Sequence, residues 1–437
     1  MTDPTPATPR IVLHTGKGGV GKTTISAATA VAVANRGRRT LLLSTDPAHS
    51  IGDVLDVPIG AEPTAIGTNF WAAQVDTRGR LEQGWSAIRD YLTGLLAARG
   101  MAEVQAEELT VLPGAEEIVA LLEVHRWAVD GRFDAVLVDC APSGETLRLL
   151  ALPETIAFYA DRLMGAPRRL LRTLAASLTG GALGGGNGQV HDALGDLLDR
   201  LTAARTLLTD PVHTDIRIVI TPERVVIAEA RRLLTALHLH GYPVGGVVVN
   251  RLLPDEAGNG FLAARREAEA SALHLVHESF ADLPTHQLPL AAREPVGVPA
   301  LAALGQQLYG ADDPLGVAPS GPAVEVVGED GRYALRLPLP LVERSSVDLT
   351  RSGDELVITV GAARRRVALP SLLQRCRVTG ARFDGDVLVI GFEPDPARWP
   401  AALLESLPGP VAPAQPVAGT GPVDDSVVGP MPAGAPR

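Results

Sequence analysis

The run Gly16-Lys17-Gly18-Gly19-Val20-Gly21-Lys22-Thr23 carries the spacing GxxxxGK[ST]. Glycines at these places let successive backbone N–H groups turn toward one point, which makes a nest for an anion. A helix starting directly after the nest adds the positive end of its dipole. At this spacing Lys22 reaches the β and γ phosphates of a nucleoside triphosphate. The Thr23 hydroxyl reaches a bound Mg²⁺, and Thr24 follows in the same turn. A glycine-rich turn with accidental spacing has the same letters, but here an apolar run precedes the loop and a helical pattern follows it. Lys17 is not needed to build the nest. It reads either as a solvated surface lysine or as a cation that reaches a γ-phosphate across a subunit interface, and the spacing leaves both open.

Two aspartates close apolar runs. Asp46 stands in Ser44-Thr45-Asp46-Pro47-Ala48-His49-Ser50, and Asp139 in Val138-Asp139-Cys140-Ala141-Pro142-Ser143-Gly144-Glu145-Thr146. Carboxylates at the C-terminal edge of a parallel sheet sit where ligands bind. Asp46 is suited to orient an attacking water, or else it is a turn aspartate beside a proline. Asp139 fits a place near Mg²⁺ through a water. His49 reads as structural, and Cys140 as a small buried hydrophobe.

The elements that must position these residues are legible from periodicity. Arg10–His14, Thr40–Ser44, Asp134–Asp139, Ile216–Ile220 and Gly245–Asn250 are apolar runs of strand length, and Thr23–Asn35 is helical. Continuous apolar strands separated by helices predict an α/β fold, a mostly parallel sheet covered on both faces. Residues 155–210 interrupt the rhythm with two leucine-periodic helical patterns around GGALGGGNG (180–188), read as a helical insertion. The boundaries expected are a 1–9 tail, a 10–310 nucleotide domain, a 311–322 linker, a 323–393 β-sandwich and a 394–437 Pro/Ala/Gly-rich tail.

In the β part the predicted strands are Tyr333–Leu337, Ser346–Thr350, Glu355–Val360, Arg364–Leu369, Arg377–Phe383 and Val387–Phe392. The 437 residues are 46% hydrophobic and 4% aromatic, with 39 Lys and Arg against 50 Asp and Glu, a net charge of −11. That acidity argues against a nucleic-acid partner. Cys140 and Cys376 form no CxxC, which fits a reducing compartment. No apolar core follows the N-terminus and no apolar run has spanning length, so a cytoplasmic location is expected.

Taken together, GKGGVGKT, TDPAHS and DCAPSGETLRLL followed by LPE resemble the arsenical pump-driving and tail-anchored-protein-targeting ATPases of the deviant Walker A class. PGAEE (113–117), Asn250 at the end of GGVVVN and LPLAAREPVG (288–297) extend the resemblance over residues 10–310. It implies an ATPase with Mg²⁺ as cofactor. Gly16 to Thr24 would hold the nucleotide, Lys17 would be the signature lysine acting between protomers, and Asp46 would position the hydrolytic water. Asp139, Pro142, Ser143 and Gly144 would lie in switch II, and Asn250 would contact adenine. With one P-loop in the chain, the composite site requires a homodimer. The chain lacks the CxxC zinc clamp of eukaryotic targeting members and the several cysteines of arsenite-binding ones. Glu145 stands where many relatives have histidine.

LRLPLP, DLTRSGDELVITV, RRRVALP and GARFDGDVLVIGF resemble the α-crystallin domain of small heat-shock proteins, which some bacterial members carry. A generic β-sandwich for dimer contacts is the other reading of those strands. Three roles stay open: nucleotide-gated binding of a hydrophobic client or membrane-protein partner, energising an arsenite or anion efflux permease, and partition-type positioning. The first two leave room for peripheral membrane contact. The third calls for a basic surface or a C-terminal amphipathic helix, and the tail supplies neither.

Overall fold

Each of the five apolar runs is a strand, and together they form the middle of one large sheet. The computed structural model describes residues 8–47, 50–77, 115–151, 187–254, 260–316, 324–329 and 331–399. His49, the first half of the helical insertion, residues 180–186 of its glycine segment and both tails, except for residues 8–9 and 394–399, lie outside the described residues.

In chain order the first unit runs β1 (Arg10–Thr15), α1 (Lys22–Asn35), β2 (Thr40–Ser44), α2 (Ser50–Leu55), β3 (Thr64–Gly67), β4 (Phe70–Gln74), α3 (Ala115–Val129), β5 (Ala135–Asp139) and α4 (Asn187–Thr209). The chain continues with β6 (Thr214–Ile220), α5 (Arg224–His240), whose residues from 228 on belong to the second unit, β7 (Val244–Leu252), α6 (Phe261–Ser279), β8 (Thr285–Pro289) and α7 (Val298–Tyr309). The sheet order is β3-β4-β2-β5-β1-β6-β7-β8. β1 pairs parallel to β5 and β6, β2 to β4 and β5, and β7 to β8. β3 is antiparallel at the edge.

Continuous apolar sequence is what a strand covered on both faces requires. All of β2, β5 and β6 is buried. β1, central in the sheet, delivers its C-terminal end to the phosphate loop. β5 and β2 end beside it with Asp139 and Ser44. The strands that periodicity did not reveal lie toward the edges: β3 and β8, the edge strands, carry polar residues because an edge strand buries less, and β4 lies between β3 and β2.

The residues after α7 are tied down. Arg10 Nη2 donates to the Leu315 and Gly316 carbonyls at 3.3 and 3.0 Å, and Arg217 Nη2 donates to the Pro314 carbonyl at 2.6 Å. Of the segment expected as a linker, residues 311–316 therefore pack on this unit. Residues 317–322 lie outside the described residues.

The second compact unit gathers residues 228–244 with 319–437. Its strands are β9 (Glu325–Glu329), β10 (Arg332–Pro338), β11 (Val347–Ser352), β12 (Glu355–Val360), β13 (Ala363–Ala368), β14 (Cys376–Asp384) and β15 (Val387–Pro394), with a short helix, α8 (Ser371–Gln374). An antiparallel sheet in the order β14-β15-β10-β9 faces another in the order β11-β12-β13. Alternating inward residues such as Leu335, Leu337, Leu349, Ile358, Leu388 and Ile390 make the core, and Leu239 from α5 joins them. Thr235 Oγ1 donates to the Pro340 carbonyl at 2.8 Å, and Arg365 Nη1 donates to the Leu239 carbonyl at 2.6 Å. The late turns of α5 are thus part of this core. Leu239→Ala is expected to lower the stability of the unit by about 2–5 kcal/mol. Denaturant unfolding of the full chain checks this, and a change below about 0.5 kcal/mol would put Leu239 outside the core.

Candidate functional site

The loop after β1 adopts the backbone its glycines permit. Gly19 and Gly21 have φ of 82° and 94°, in the left-handed region. At Gly16 a Cβ would collide with the Val219 carbonyl of the neighbouring β6, so only glycine lets the loop leave the sheet there. α1 begins at Lys22 with Gly21 as its N-cap, and no side chain caps its first turn. The first-turn N–H groups therefore face the loop's own concavity, an arrangement that suits a phosphate. Lys22 is 6% exposed. Lys17, Thr23 and Thr24 are half-buried, Gly18 and Gly19 are exposed, and Val20 is buried.

Asp139 is fully buried at the end of β5. Its Oδ2 accepts a hydrogen bond from Ser44 Oγ at 3.4 Å, while Oδ1 has no hydrogen-bond partner among the described residues. Burial pushes its pKa up to about 6, and the Asp46 charge adds to the rise. The Thr23 hydroxyl, the Lys22 ammonium and Ser44 oppose it. A buried carboxylate with an orphaned oxygen, next to the hydroxyl of Thr23, is a donor set that fits a hard divalent cation. The Thr23 and Ser50 hydroxyls share a hydrogen bond of 3.1 Å.

Asp46 is half-buried just beyond β2. Its N–H donates to Ser44 Oγ at 3.3 Å, and its carbonyl accepts from Gln74 Nε2 at 3.5 Å. The segment expected as switch II leaves β5 under backbone control. Cys140 N donates to the His14 carbonyl, and Ser143 N donates to the Gly16 carbonyl, each at 3.1 Å. Pro142 is half-buried, Ser143 buried and Gly144 exposed, and a helical segment starts at residue 143. Cys140 is buried, and desolvation pushes its thiol far up, so it stays a thiol as expected of a small core residue.

Asn250, at the end of β7, meets the loop itself. Its Nδ2 donates to the Val20 carbonyl at 2.9 Å. LPLAAREPVG reaches the same sheet edge, and Gly297 N donates to the Val54 carbonyl at 2.9 Å. The predicted residues Gly16 to Thr24, Asp46, Asp139 to Gly144 and Asn250 thus converge on one end of the sheet.

The reading of single motifs missed a polar core behind the loop. Arg217 Nε bonds Asp215 Oδ2 at 3.0 Å, and Arg217 Nη1 bonds the Tyr309 hydroxyl at 2.9 Å. Tyr309 lies 2.8 Å from Thr29 Oγ1, which lies 3.4 Å from His14 Nε2. Burial, reinforced by the Arg217 charge, depresses the His14 pKa well below its ordinary value, so the ring is neutral. Asp215 packs so tightly on Gly245 that a Cβ there would collide with its carboxylate. Polar letters inside apolar strands are the only sequence trace of this network. Ser44 and Ser50 were also missed, although both flank Asp46 in the same motif.

A mostly parallel sheet whose first strand runs into a glycine nest, with aspartates at the ends of adjoining strands, defines a P-loop nucleotide hydrolase. Comparison with known proteins narrows the class. The model of the anion-transporting ATPase family matches residues 9–310, and that of an HSP20-like domain found in ArsA matches residues 330–392. A Chlorobaculum tepidum protein provisionally named an arsenical pump-driving ATPase is 36% identical over 88% of this chain and 96% of its own length. Protein Rv2184c of Mycobacterium tuberculosis is 36% identical over 91% of this chain and 99% of its own. An Aquifex aeolicus protein with the same provisional name and the number 1 is 31% identical over 87% and 99%. The chain belongs to the anion-transporting ATPase family and hydrolyses ATP. No helix among the described residues is long and apolar enough to cross a membrane.

Proposed function

We propose that the chain works as a homodimer whose MgATP state gates the binding and release of a hydrophobic client or membrane-protein partner. The observation that carries the nucleotide part is the uncapped start of α1, with buried Lys22 in its first turn and the orphaned Asp139 oxygen at the end of neighbouring β5. In this reading the Gly16 to Thr24 amides and Lys22 hold the phosphates. Thr23 and Asp139 would hold Mg²⁺. When bound, the metal neutralises charge on the β and γ phosphate oxygens. Asp46 orients the attacking water, and Asn250 contacts adenine. Lys17 of each protomer reaches the partner's γ-phosphate. The Ser143-to-Gly16 hydrogen bond supports a switch II that follows the phosphate loop.

Two observations support this reading. Val225, Phe261, Leu290 and Val296 are exposed on segments that follow β6, β7 and β8, apolar side chains that burial against a second copy would cover. The HSP20-like match supports a client-binding role. The relatives' names favour a second reading, the energising subunit of an arsenite or anion efflux pump. Against arsenite itself, both cysteines are buried, with thiols pushed up by desolvation.

The test is phosphate release and nucleotide binding by the full chain, with and without a hydrophobic peptide or arsenite. Asp46→Asn is expected to lower turnover about 10²- to 10³-fold and to keep ATP affinity within about threefold. Peptide affinity is expected to differ between the ATP and ADP states, and Asp46→Asn should trap the ATP value. Equal peptide affinity in both states, with turnover stimulated by arsenite, favours the efflux reading. No magnesium-dependent ATP affinity would sink both.

A further inference from the structure

Asn250 stands where β7 departs from its ladder. The β7–β8 register shifts between Val249 and Leu252, and Arg251 takes φ of 62°, left-handed for a residue that is not glycine. Such a bulge re-aims a side chain, and local strain of this kind persists where the surroundings over-determine it. Here it accompanies an Asn250 side chain turned to the phosphate loop. Both ends of the amide are engaged: Nδ2 donates to the Val20 carbonyl and Oδ1 accepts from Arg251 N, each at 2.9 Å. Asn250 is 7% exposed, and Gly21 passes so close that a Cβ on it would collide with Nδ2.

The Val20 carbonyl belongs to the same peptide unit as the Gly21 N–H. A trans peptide points these two groups in opposite directions. In a nest whose N–H groups converge on an anion, the carbonyls must face outward, and a buried one needs a donor. Asn250 is that donor for Val20.

We propose that Asn250 is a positioning residue for the phosphate loop: by holding the Val20 carbonyl outward it turns the Gly21 N–H toward the phosphates. The amide carries two N–H groups and two lone pairs on oxygen. One of each is used among the described residues. The remaining N–H and lone pair match the acceptor and donor that adenine presents side by side, whereas guanine presents two acceptors there. One side chain then ties base recognition to loop geometry. This second half rests on the adenine contact proposed above; the first does not.

The test uses the full chain and two ligands with magnesium: ATP, and inorganic tripolyphosphate, which has no base. Asn250→Asp keeps the shape but places an acceptor against Val20, and Asn250→Ser is too short to reach it. Thermal melts establish that each variant is folded. Both are expected to weaken tripolyphosphate about fivefold to tenfold, the loss for one hydrogen bond. Both should weaken ATP further, and lower kcat as well as raise KM. Unchanged tripolyphosphate affinity in both variants, with weakened ATP, would overturn the positioning role. Equal ATP and GTP affinity in the wild type would overturn the base-reading half alone. A wild type that binds neither ligand would remove the nucleotide function itself.

Discussion

Lys17→Ala is expected to lower ATP turnover by about 10³-fold while leaving MgATP binding nearly intact, the signature of a charge supplied in trans. The two lysines of the loop differ in environment. Lys22 is buried in the first turn of α1, and in the proposed site it serves the phosphates of its own protomer. Lys17 is half-buried beside Gly18 and Gly19, both exposed. Mixing variants separates a trans role from a cis role. Lys17→Ala retains Asp46, and Asp46→Asn retains Lys17. In a mixed dimer the Lys17→Ala protomer has its own Asp46 and receives the partner's lysine, so one of its two sites is complete. Random exchange makes about half of the dimers mixed, so turnover should recover to about a quarter of wild type. Each variant alone stays inactive. Turnover near the wild-type value for Lys17→Ala, or no recovery on mixing, would remove the cross-dimer role.

The second large effect belongs to Asp139. Its carboxyl is raised to about 6, mainly by burial, above the ordinary value of 3.8. The folded state therefore binds this proton more tightly than the unfolded chain does. The charged form carries a folding cost that is fully present above pH 6 and is relieved as the pH falls from about 6 toward 3.8. Metal binding has the opposite sign, because it needs the carboxylate. Divalent-metal affinity should be highest above pH 6 and fall about tenfold per unit below it. Asp139→Asn removes the buried charge. It should stabilise the metal-free protein by roughly 1–3 kcal/mol at pH 8 and lower turnover about 10²- to 10⁴-fold. Metal-free melts at pH 5 and 8, with magnesium titrations of phosphate release, test both halves. An Asp139→Asn variant less stable than wild type at pH 8, or a wild type with equal magnesium affinity at both pH values, would refute the account.

The legible part of the site was the part written in contiguous residues. A nest and the helix that follows it need glycines, a lysine and a threonine at fixed offsets, because one short backbone segment makes the whole cradle. Five of the eight strands of the large sheet could be read because a strand covered on both faces must be apolar throughout. β3, β4 and β8 could not. β3 and β8 lie at the edges, where polar side chains cost little, whereas β4 is apolar and mostly buried and was missed despite that pattern. In the β unit, six of seven strands followed from alternation and turn residues. The exposed, glycine-containing β9 did not.

What could not be read depends on register and on strand order. Ser50 meets Thr23 across 27 residues, Asn250 meets Val20 across 230, and Tyr309 meets Thr29 across 280. Arg217 in an apolar strand is an anomaly by sequence, and only the packing supplies its acceptors and its aromatic neighbour. The placement of the late turns of α5 in the core of the β unit also carries no local signal, since Leu239 has the same apolar character in either core.

The sequence by itself therefore determined the phosphate-binding chemistry, the fold class and the two kinds of unit, because local backbone needs and burial periodicity act on neighbouring residues. The tertiary structure decided which buried carboxyl oxygens, those of Asp139 and Asp215, are left without a partner among the described residues, which side chain steadies the Val20 carbonyl and where residues 228–244 and 311–316 pack. Those outcomes depend on contacts between segments far apart in the chain, and long-range contacts leave no period to read.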